Sequence, residues 1–390
     1  MKVLFITRWY PTEENPVSGV FVREHAKAVS LTGHVAVLHG CESDKLKTLY
    51  EVSVESEGSI KIFRVKYRKL PMLLSHILYL YSMIRAFQKI REQFEPEIIH
   101  AHVYIAGFLS VIFGKLYDIP VVITEHAKIV EKPNSIKQRI INAAKILIAR
   151  FALNNAQLLL PASKSLRRHL EDLGIQNDFR IIPNIVDTKT FYPIHCKKDT
   201  EIKKILFVGL LHPVKGIPYL LNALGELQKK REDFHLDIVG YGPYRDVYER
   251  MVANLGLSDK VSFHGMKTKN EVAKFMQKCD FLVFPSLVLP DIQEGFGIVL
   301  IEALACGKPV ITTSNCERGN MIVTEYGVLV PPEDFQSLLK AIEYMLDNFQ
   351  KHPTQEVIKY VRKNFSYKAV GRLLHNHYIR AVEKFKANGK

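Results

Sequence analysis

Short apolar segments alternate with helical segments along the first half of the chain, and this alternation is what most restricts its fold. Lys2–Thr7 has the pattern of a strand, Gly19–Leu31 that of a helix, and His34–His39 that of a second strand. Further strands are predicted at Glu97–His100, Val121–Glu125, Leu158–Pro161 and Arg180–Pro183. Because these segments are short continuous runs rich in Val and Ile, we expect both faces of their sheet to be covered. The pattern predicts an α/β fold with a doubly wound parallel sheet.

The alternation restarts at Lys203–Gly209, which reads KKILFVG. Later strands are predicted at Phe234–Gly240, Val261–Phe263, Phe281–Pro285 and Pro309–Thr313. A chain of 390 residues is longer than one core usually supports. Residues 183–201 are rich in turn formers and are interpreted as a linker. We therefore expect two Rossmann-like domains facing a central cleft, with ligands beyond the carboxyl ends of the strands.

The expected domain boundaries follow from this division. The first domain is predicted over 1–190 and the second over 191–364. Residues 365–390 are predicted to be helical and to pack back on the first domain.

Composition restricts the class of protein. No window of eighteen residues is apolar and free of charge, so no spanning helix is predicted. The first residues have the pattern of a strand and lack the longer apolar region of a signal peptide. The five cysteines are scattered and odd in number, which favours neither a disulfide framework nor a zinc site. We expect a cytoplasmic protein, or one peripheral to the inner face of a membrane.

A net charge of +14 indicates either an anionic partner or simply solvated basic faces. No zinc-finger, RNP-like or helix-turn-helix signature is present, so nucleic acid is not expected. The segment 66–92 combines basic ends with Leu, Ile, Tyr and Met. Two interpretations stay open for it, contact with an anionic membrane surface and an ordinary amphipathic core helix.

Glycines follow the predicted strands of the second half. Gly209 ends one strand, and Lys215 stands at the start of the next helix, where exposed amides and a lysine would suit a phosphate or the lysine is simply solvated. Gly240 and Gly242 follow another strand, as a ligand loop or as a plain turn before a helix. Gly265 allows close approach of the backbone to a ligand or ends a simple turn.

The stretch EGFGIVLIE, from Glu294 to Glu302, is more specific. Gly295 and Gly297 let the backbone approach a ligand, and the following helix directs its first amides at an anion. Phe296 would lock the loop by packing. Glu302 falls within an apolar helix, where a carboxylate needs a partner. A sugar diol or a structural salt bridge would provide one.

Several motifs occur together in one order. They are PNxVDTxxF from Pro183, VGxLxxxKG from Val208, IVGxGP from Ile238 and the E-x7-E array from Glu294. With HAH at 100–102 and TEH at 124–126, the chain resembles the retaining glycosyltransferases of family 4. This resemblance implies a GT-B fold, a nucleotide-diphospho-sugar donor in the second domain, and an acceptor mainly in the first.

The resemblance also implies roles for individual residues. Lys215 would neutralise the diphosphate, Glu294 would hold sugar hydroxyls, and Glu302 would hold the ribose. His126 corresponds to the histidine of the catalytic centre, and Gly19 to the loop glycine that touches phosphate. Backbone amides for sugar and phosphate would come from Gly295, Phe296 and Gly297, and His264, Gly265 and Met266 would flank the base.

The sequence departs from the family pattern at three places. Leu210 stands where an arginine is common, and His212 or Arg245 would have to compensate. The first loop has one glycine, Gly19, where many members have two, and Asn320 stands where a glutamate is frequent. These departures bear on the identity of the donor and on the geometry at its phosphates.

The implied reaction is a retaining sugar transfer from a UDP- or GDP-sugar to a hydroxyl of a glycan or lipid-linked acceptor, as in surface polysaccharide assembly. No D-x-D motif occurs, and we expect neither a metal nor another cofactor. We also expect His100 and His102 to point to opposite faces, which argues against a two-histidine metal site. Alternatives are a nucleotide-sugar epimerase or phosphorylase of the same fold, and a non-enzymatic protein that binds an anionic polymer.

Overall fold

The computed structural model describes residues 1–130, 133–194, 201–287, 297–314 and 326–388. These residues form two compact units, one of Met1–Ile185 with the C-terminal segment from Tyr367, and one of Val186–Ser366. No helix of this part of the chain is long and apolar enough to cross a lipid bilayer.

The strands are numbered in chain order through both units. In the first unit they are β1 Lys2–Thr7, β2 His34–Ser43, β3 Tyr50–Glu57, β4 Ile60–Arg68, β5 Ile98–His102, β6 Val121–Glu125 and β7 Leu158–Pro161. In the second unit they are β8 Lys203–Val208, β9 Phe234–Val239, β10 Val261–Phe263, β11 Phe281–Phe284, β12 Val310–Thr313 and β13 Gly327–Val330.

The helices are numbered in the same way. The first unit contains α1 Val20–Ser30, α2 Met72–Phe94, α3 Tyr104–Tyr117, α4 Ile136–Asn154 and α5 Lys164–Asp172. The second contains α6 Ile217–Leu227, α7 Arg245–Asn254, α8 Lys269–Lys278, α9 Ile298–Ala305, α10 Phe335–Asn348 and α11 Thr354–Phe365. The last helix, α12 Tyr367–Asn388, belongs to the first unit.

Each unit has one sheet between two layers of helices. The first sheet has the order β3-β4-β2-β1-β5-β6-β7 and is parallel except for β3, which pairs antiparallel with β4. One core cluster joins this sheet to α2, α3 and α4, and another joins it to α1 and α12. The second sheet is parallel in the order β10-β9-β8-β11-β12-β13. These two sheets confirm the predicted α/β class.

Most predicted strands are confirmed, but three strands were missed and one prediction was wrong. The strands β3, β4 and β13 were not predicted. The segment Arg180–Pro183 is not a strand, although Arg180 and Ile182 donate hydrogen bonds to the β7 carbonyls of Leu159 and Pro161. Pro183 has no N–H with which to continue that ladder.

The helix α12 packs against α1. Tyr378 is fully buried, and its hydroxyl lies 2.7 Å from Nδ1 of His100 on β5. Near its start, the Tyr367 hydroxyl donates a hydrogen bond to Glu24 of α1. The helix α12 therefore contacts the central strand β5 directly.

Candidate functional site

Three histidines from separate elements meet at the carboxyl ends of β5 and β6. They are His25 on α1, His102 at the end of β5 and His126 after β6, and one ring nitrogen of each lies within 4.8 Å of the others. Nδ1 of His102 lies 2.9 Å from Nε2 of His126, with the two rings stacked. The structure therefore places His126, predicted from the resemblance, half-buried beside the buried imidazoles of His25 and His102.

The expectation that His100 and His102 point to opposite faces is wrong. Their ring centroids lie 4.5 Å apart, because side chains two positions apart along a strand share a face. His100 is held by hydroxyls, with Tyr378 on Nδ1 and Thr124 on Nε2, each at 2.7 Å. The spacing of two residues on a strand should therefore have predicted that these two rings lie side by side.

Burial keeps this cluster neutral. Desolvation lowers the pKa of His25 to about 4 and holds the pKa values of His102 and His126 well below 6.5. Nε2 of His25 donates to the carbonyl of Pro183 at 3.1 Å, because a carbonyl oxygen can only accept. Its Nδ1 therefore carries a lone pair, and that atom has no hydrogen-bond partner among the described residues.

Three neighbouring imidazoles raise the question of a metal. In a neutral His102–His126 pair, one proton lies between the two facing nitrogens, so neither of them can ligate an ion while the bond is formed. Among the described residues, Nδ1 of His25 and Nε2 of His102 have no hydrogen-bond partner, and only the first of them is fixed as a lone-pair site by its ring's other hydrogen bond. The geometry fits a hydrogen-bonded network better than a closed metal site, and metal independence stays a prediction.

The loop between β1 and α1 reaches this cluster. Gly19 is the residue before the first turn of α1 and has φ 65°, and a Cβ at this position would overlap the carbonyl of Trp9. Two residues later, the Phe21 ring lies 4.0 Å from the ring of His126. The predicted residues Gly19 and His126 therefore belong to one edge of the first unit.

Glu125 was not predicted as a functional residue. Its side chain is 2% exposed, and burial raises its pKa to about 8, although backbone N–H groups of Tyr104 and His126 favour the ionised form. Its Oε1 has no hydrogen-bond partner among the described residues. Nearby, Val103 has φ 65°, a conformation that is rare for a β-branched residue. A carboxyl protonated at neutral pH thus adjoins the histidine cluster.

A cavity of about 720 Å³ opens at the carboxyl ends of β1, β2 and β4. Arg64 of β4 lies at 2.8 Å from Nδ1 of His39 and forms a two-pronged ion pair with Glu55 at 2.9 Å. Arg8 donates to the Tyr67 hydroxyl at 3.1 Å and has no carboxylate partner among the described residues. Sequence reasoning missed this cavity, although Arg64 interrupts an apolar strand and could have indicated it.

In the second unit, the predicted glycine loops lie together at the carboxyl ends of neighbouring strands. Gly209, Gly240 and Gly265 follow β8, β9 and β10, and the Gly240 amide donates to the Gly265 carbonyl at 2.9 Å. A Cβ on Gly240 would overlap the Gly209 carbonyl, and one on Gly242 would collide with Leu211. The close contacts show that the loop after β9 needs residues without side chains at these two positions.

Predicted cations stand beside these loops. Lys215 ends a single 3₁₀ turn before α6, and its Nζ lies 5.0 Å from the centre of the Phe284 ring. Arg245 begins α7, pairs with Glu249 at 2.7 Å and lies 6.0 Å from the Phe263 ring. Nδ1 of His212 accepts a hydrogen bond from the Val214 amide at 3.3 Å and so caps the turn that carries Lys215.

The remaining predicted residues lie after β10 and on α9. Nε2 of His264 lies 2.7 Å from a carboxylate oxygen of Asp237, while Met266 is exposed. Gly297, with φ 59°, precedes α9, and Glu302 within that helix is half-buried. The predictions for Glu294, Gly295 and Phe296, and the position of Asn320, lie outside the described residues.

Comparison with known families and structures covers both units. Residues 18–190 match the model described as Glycosyltransferase Family 4, and residues 188–364 match Glycosyl transferases group 1. An uncharacterised glycosyltransferase of Methanocaldococcus jannaschii is 29% identical over 296 residues, covering 75% of this chain and 77% of its own length.

Two solved structures illustrate the shared fold. Sucrose-phosphate synthase from Thermosynechococcus elongatus aligns with a TM-score of 0.73 at 20% identity, covering 97% of this chain and 99% of that one. Anabaena HepE in complex with UDP aligns with a TM-score of 0.71 at 17% identity and the same coverage. With both halves matched and the fold shared, the chain belongs to the group 1, family 4 glycosyltransferases and has the GT-B fold.

Proposed function

We propose that this protein transfers a sugar, with retention of anomeric configuration, from a UDP- or GDP-sugar to a hydroxyl group of a glycan or lipid-linked acceptor. The observation that carries the proposal is the gathering of Gly209, Gly240 and Gly265 at one sheet edge of the second unit. In open parallel sheets this edge is the usual place for a nucleotide. The HepE complex with UDP, which has a similar fold, supports the choice of donor.

In the proposed donor site, Lys215 and the first amides of α6 face the diphosphate. As the sugar–phosphate bond breaks, negative charge develops on the leaving diphosphate, which a lysine and helix amides stabilise. Arg245 adds a second cation beside Gly265. We infer that this arrangement replaces the arginine common at position 210 and works without a metal.

The remaining donor contacts follow the resemblance. Glu294 would hold the sugar hydroxyls, Glu302 the ribose, and the segment His264–Met266 the base. In a front-face transfer, a bond forms between the acceptor oxygen and the anomeric carbon while the bond from that carbon to the phosphate oxygen breaks. The acceptor proton passes to the leaving phosphate, so no protein nucleophile is needed.

For the acceptor, we propose the cavity of the first unit. Arg8, Arg64 and Glu55 line it with hydrogen-bonding groups that suit hydroxylated compounds. Neutral His126 lies on the same sheet edge and would contact the reacting sugar. The surroundings of this cavity favour a polar acceptor head group over a purely apolar one.

A panel of UDP- and GDP-sugars tests the proposal through slow donor hydrolysis, which needs no acceptor. We expect one donor to protect the protein against heat in a saturable way and to be hydrolysed, with nucleoside diphosphate released in the presence of EDTA. NMR of the first-formed sugar should show the anomer of the donor. Epimerised donor without net diphosphate release would indicate an epimerase, and protection by polyanions alone would indicate a polymer-binding protein.

A further inference from the structure

The helix α4 exposes a stripe of large apolar side chains. Ile136, Ile140, Leu147 and Phe151 are 77%, 66%, 67% and 39% exposed, respectively. Their spacings of four, seven and four residues place them on one face of the helix. An ordinary surface helix presents polar residues on this face, so the stripe needs an explanation.

Core packing does not account for the stripe, because it uses another face of the same helix. The residues Ala149, Ala152 and Leu153 are fully buried in the core cluster that joins the first sheet to α2, α3 and α4. Phe151 flanks the boundary, with its ring 5.2 Å from Phe108 of α3. The helix therefore has one apolar face that the fold buries and a second that it leaves in water.

The charges on α4 indicate what covers this second face. The helix carries Lys137, Arg139 and Arg150 beside this face and Lys145 on its opposite side, and it contains no aspartate or glutamate. Two copies of this chain meeting through α4 would bring these like charges together, which disfavours a dimer through this face. Cations that flank an apolar stripe instead match an anionic lipid surface, where the stripe enters the head-group region and the cations face lipid phosphates.

We propose that the outer face of α4, defined by Ile136, Ile140, Leu147 and Phe151 with their flanking cations, docks onto an anionic phospholipid membrane. The segment 66–92, for which membrane contact stayed open, contributes α2 to the same layer. Phe87 of α2 stacks on Phe113 of α3 at 4.0 Å, and α3 contacts α4 in turn. The α2 side chains of Leu74, Ile77 and Tyr81 are also exposed.

Vesicle co-sedimentation tests the proposal with the full chain. We expect binding to vesicles of phosphatidylglycerol and phosphatidylcholine, weak binding to phosphatidylcholine alone, and loss of binding at high salt. The double variant Ile140→Asp, Leu147→Asp should bind the anionic vesicles at least tenfold more weakly. Leu31→Asp, at a side chain 61% exposed at the end of α1, is the matched control and should bind as the wild type does.

Two further measurements keep the outcome decisive. Circular dichroism melts establish that the variants are folded, and donor hydrolysis without vesicles should be unchanged in them. Equal binding of wild type and double variant, or no binding to anionic vesicles at low salt, would overturn the proposal. A dimer that the double variant dissociates would assign the face to a second copy instead. Vesicle binding needs no donor, so its result is independent of the proposed transferase activity.

Discussion

Nδ1 of His102 lies 2.9 Å from Nε2 of His126, so the buried His102 ring and the half-buried His126 ring share one hydrogen bond. Burial keeps both neutral, so His126 can present an uncharged ring to a sugar. We expect His126→Ala to lower kcat about 100-fold, the usual effect of removing one group that stabilises charge or positions the reacting sugar. The affinity for the donor should change little, which initial rates and donor titration would show.

We expect His102 to act through His126, as a positioning residue. His102→Ala should lower kcat less than His126→Ala does, and His102→Asn should restore part of it, because an amide can hydrogen-bond to Nε2 of His126. His34→Ala changes an exposed imidazole and serves as the control. Full activity in His126→Ala would remove this residue from the catalytic centre.

Lys215 is expected to act on the diphosphate. Lys215→Met retains an apolar stem against the Phe284 ring but removes the charge. We expect kcat/KM for the donor to fall by about 100-fold to 1,000-fold, since the lost cation faces the charge that develops on the leaving group. Lys204→Met, at an exposed residue at the opposite end of β8, should keep full activity. Comparable losses of kcat/KM in both variants would mean that the net positive charge of the unit matters, and not the position of Lys215.

Arg245 is expected to compensate for Leu210. Arg245→Gln should weaken donor binding about tenfold, as loss of one hydrogen bond to a charged group does. Adding Leu210→Arg should restore most of the binding, because Leu210 is 41% exposed and an arginine there faces solvent without displacing the core. Isothermal titration with the nucleoside diphosphate measures both steps. If the folded double variant does not recover the affinity, Arg245 does not replace an arginine at position 210.

The sequence predicted most of the strands that are continuous apolar runs, although it missed the short strand β13, and it failed at β3 and β4, where the pattern is mixed. In β4, Arg64 and the lysines interrupt the apolar residues, and β3 alternates as a largely exposed edge strand. Neither gives the signal of a buried parallel strand. These two strands border the cavity, so sequence reasoning missed the acceptor candidate together with them.

The site residues divide in the same way. The positions of the loop glycines and of Lys215 could be predicted because each follows a strand in a recognisable motif. The contact between His25, His102 and His126 could not, because the three come from elements far apart in sequence and meet only through the order of the strands. The protonated state of Glu125 depends on burial, which a local sequence does not contain.

Substitution of Gly19 and of Gly58 by alanine distinguishes the effect of steric overlap from that of backbone strain. Both have positive φ, 65° and 61°, but a Cβ at Gly19 would overlap the Trp9 carbonyl while one at Gly58 meets nothing within 4 Å. Gly58→Ala should cost about 1 kcal/mol, the price of a left-handed conformation. Gly19→Ala should cost about 2 kcal/mol more, because the loop must also shift. Urea unfolding of both variants measures the difference, and equal losses would contradict the overlap.

Glu125 should make the stability of the protein fall as the pH rises. Its folded-state pKa of about 8 exceeds the ordinary value of 4.5, so the folded protein retains a proton that the unfolded chain releases. The stabilisation from this proton is complete below pH 4.5 and is lost as the pH rises through 8. His25 acts in the opposite sense: its lowered pKa of about 4 makes the stability fall as the pH drops from 6.5 to 4.

Glu125→Gln isolates the first effect, because glutamine has the same shape, cannot ionise, and still accepts the backbone N–H bonds. Relative to wild type, its free energy of unfolding should rise between pH 5 and pH 8.5 by up to about 4 kcal/mol. Urea titrations at both pH values measure this, with Glu51→Gln at an exposed residue as the control. A parallel pH dependence in wild type and Glu125→Gln would mean that Glu125 is ionised in the folded protein and would contradict its raised pKa.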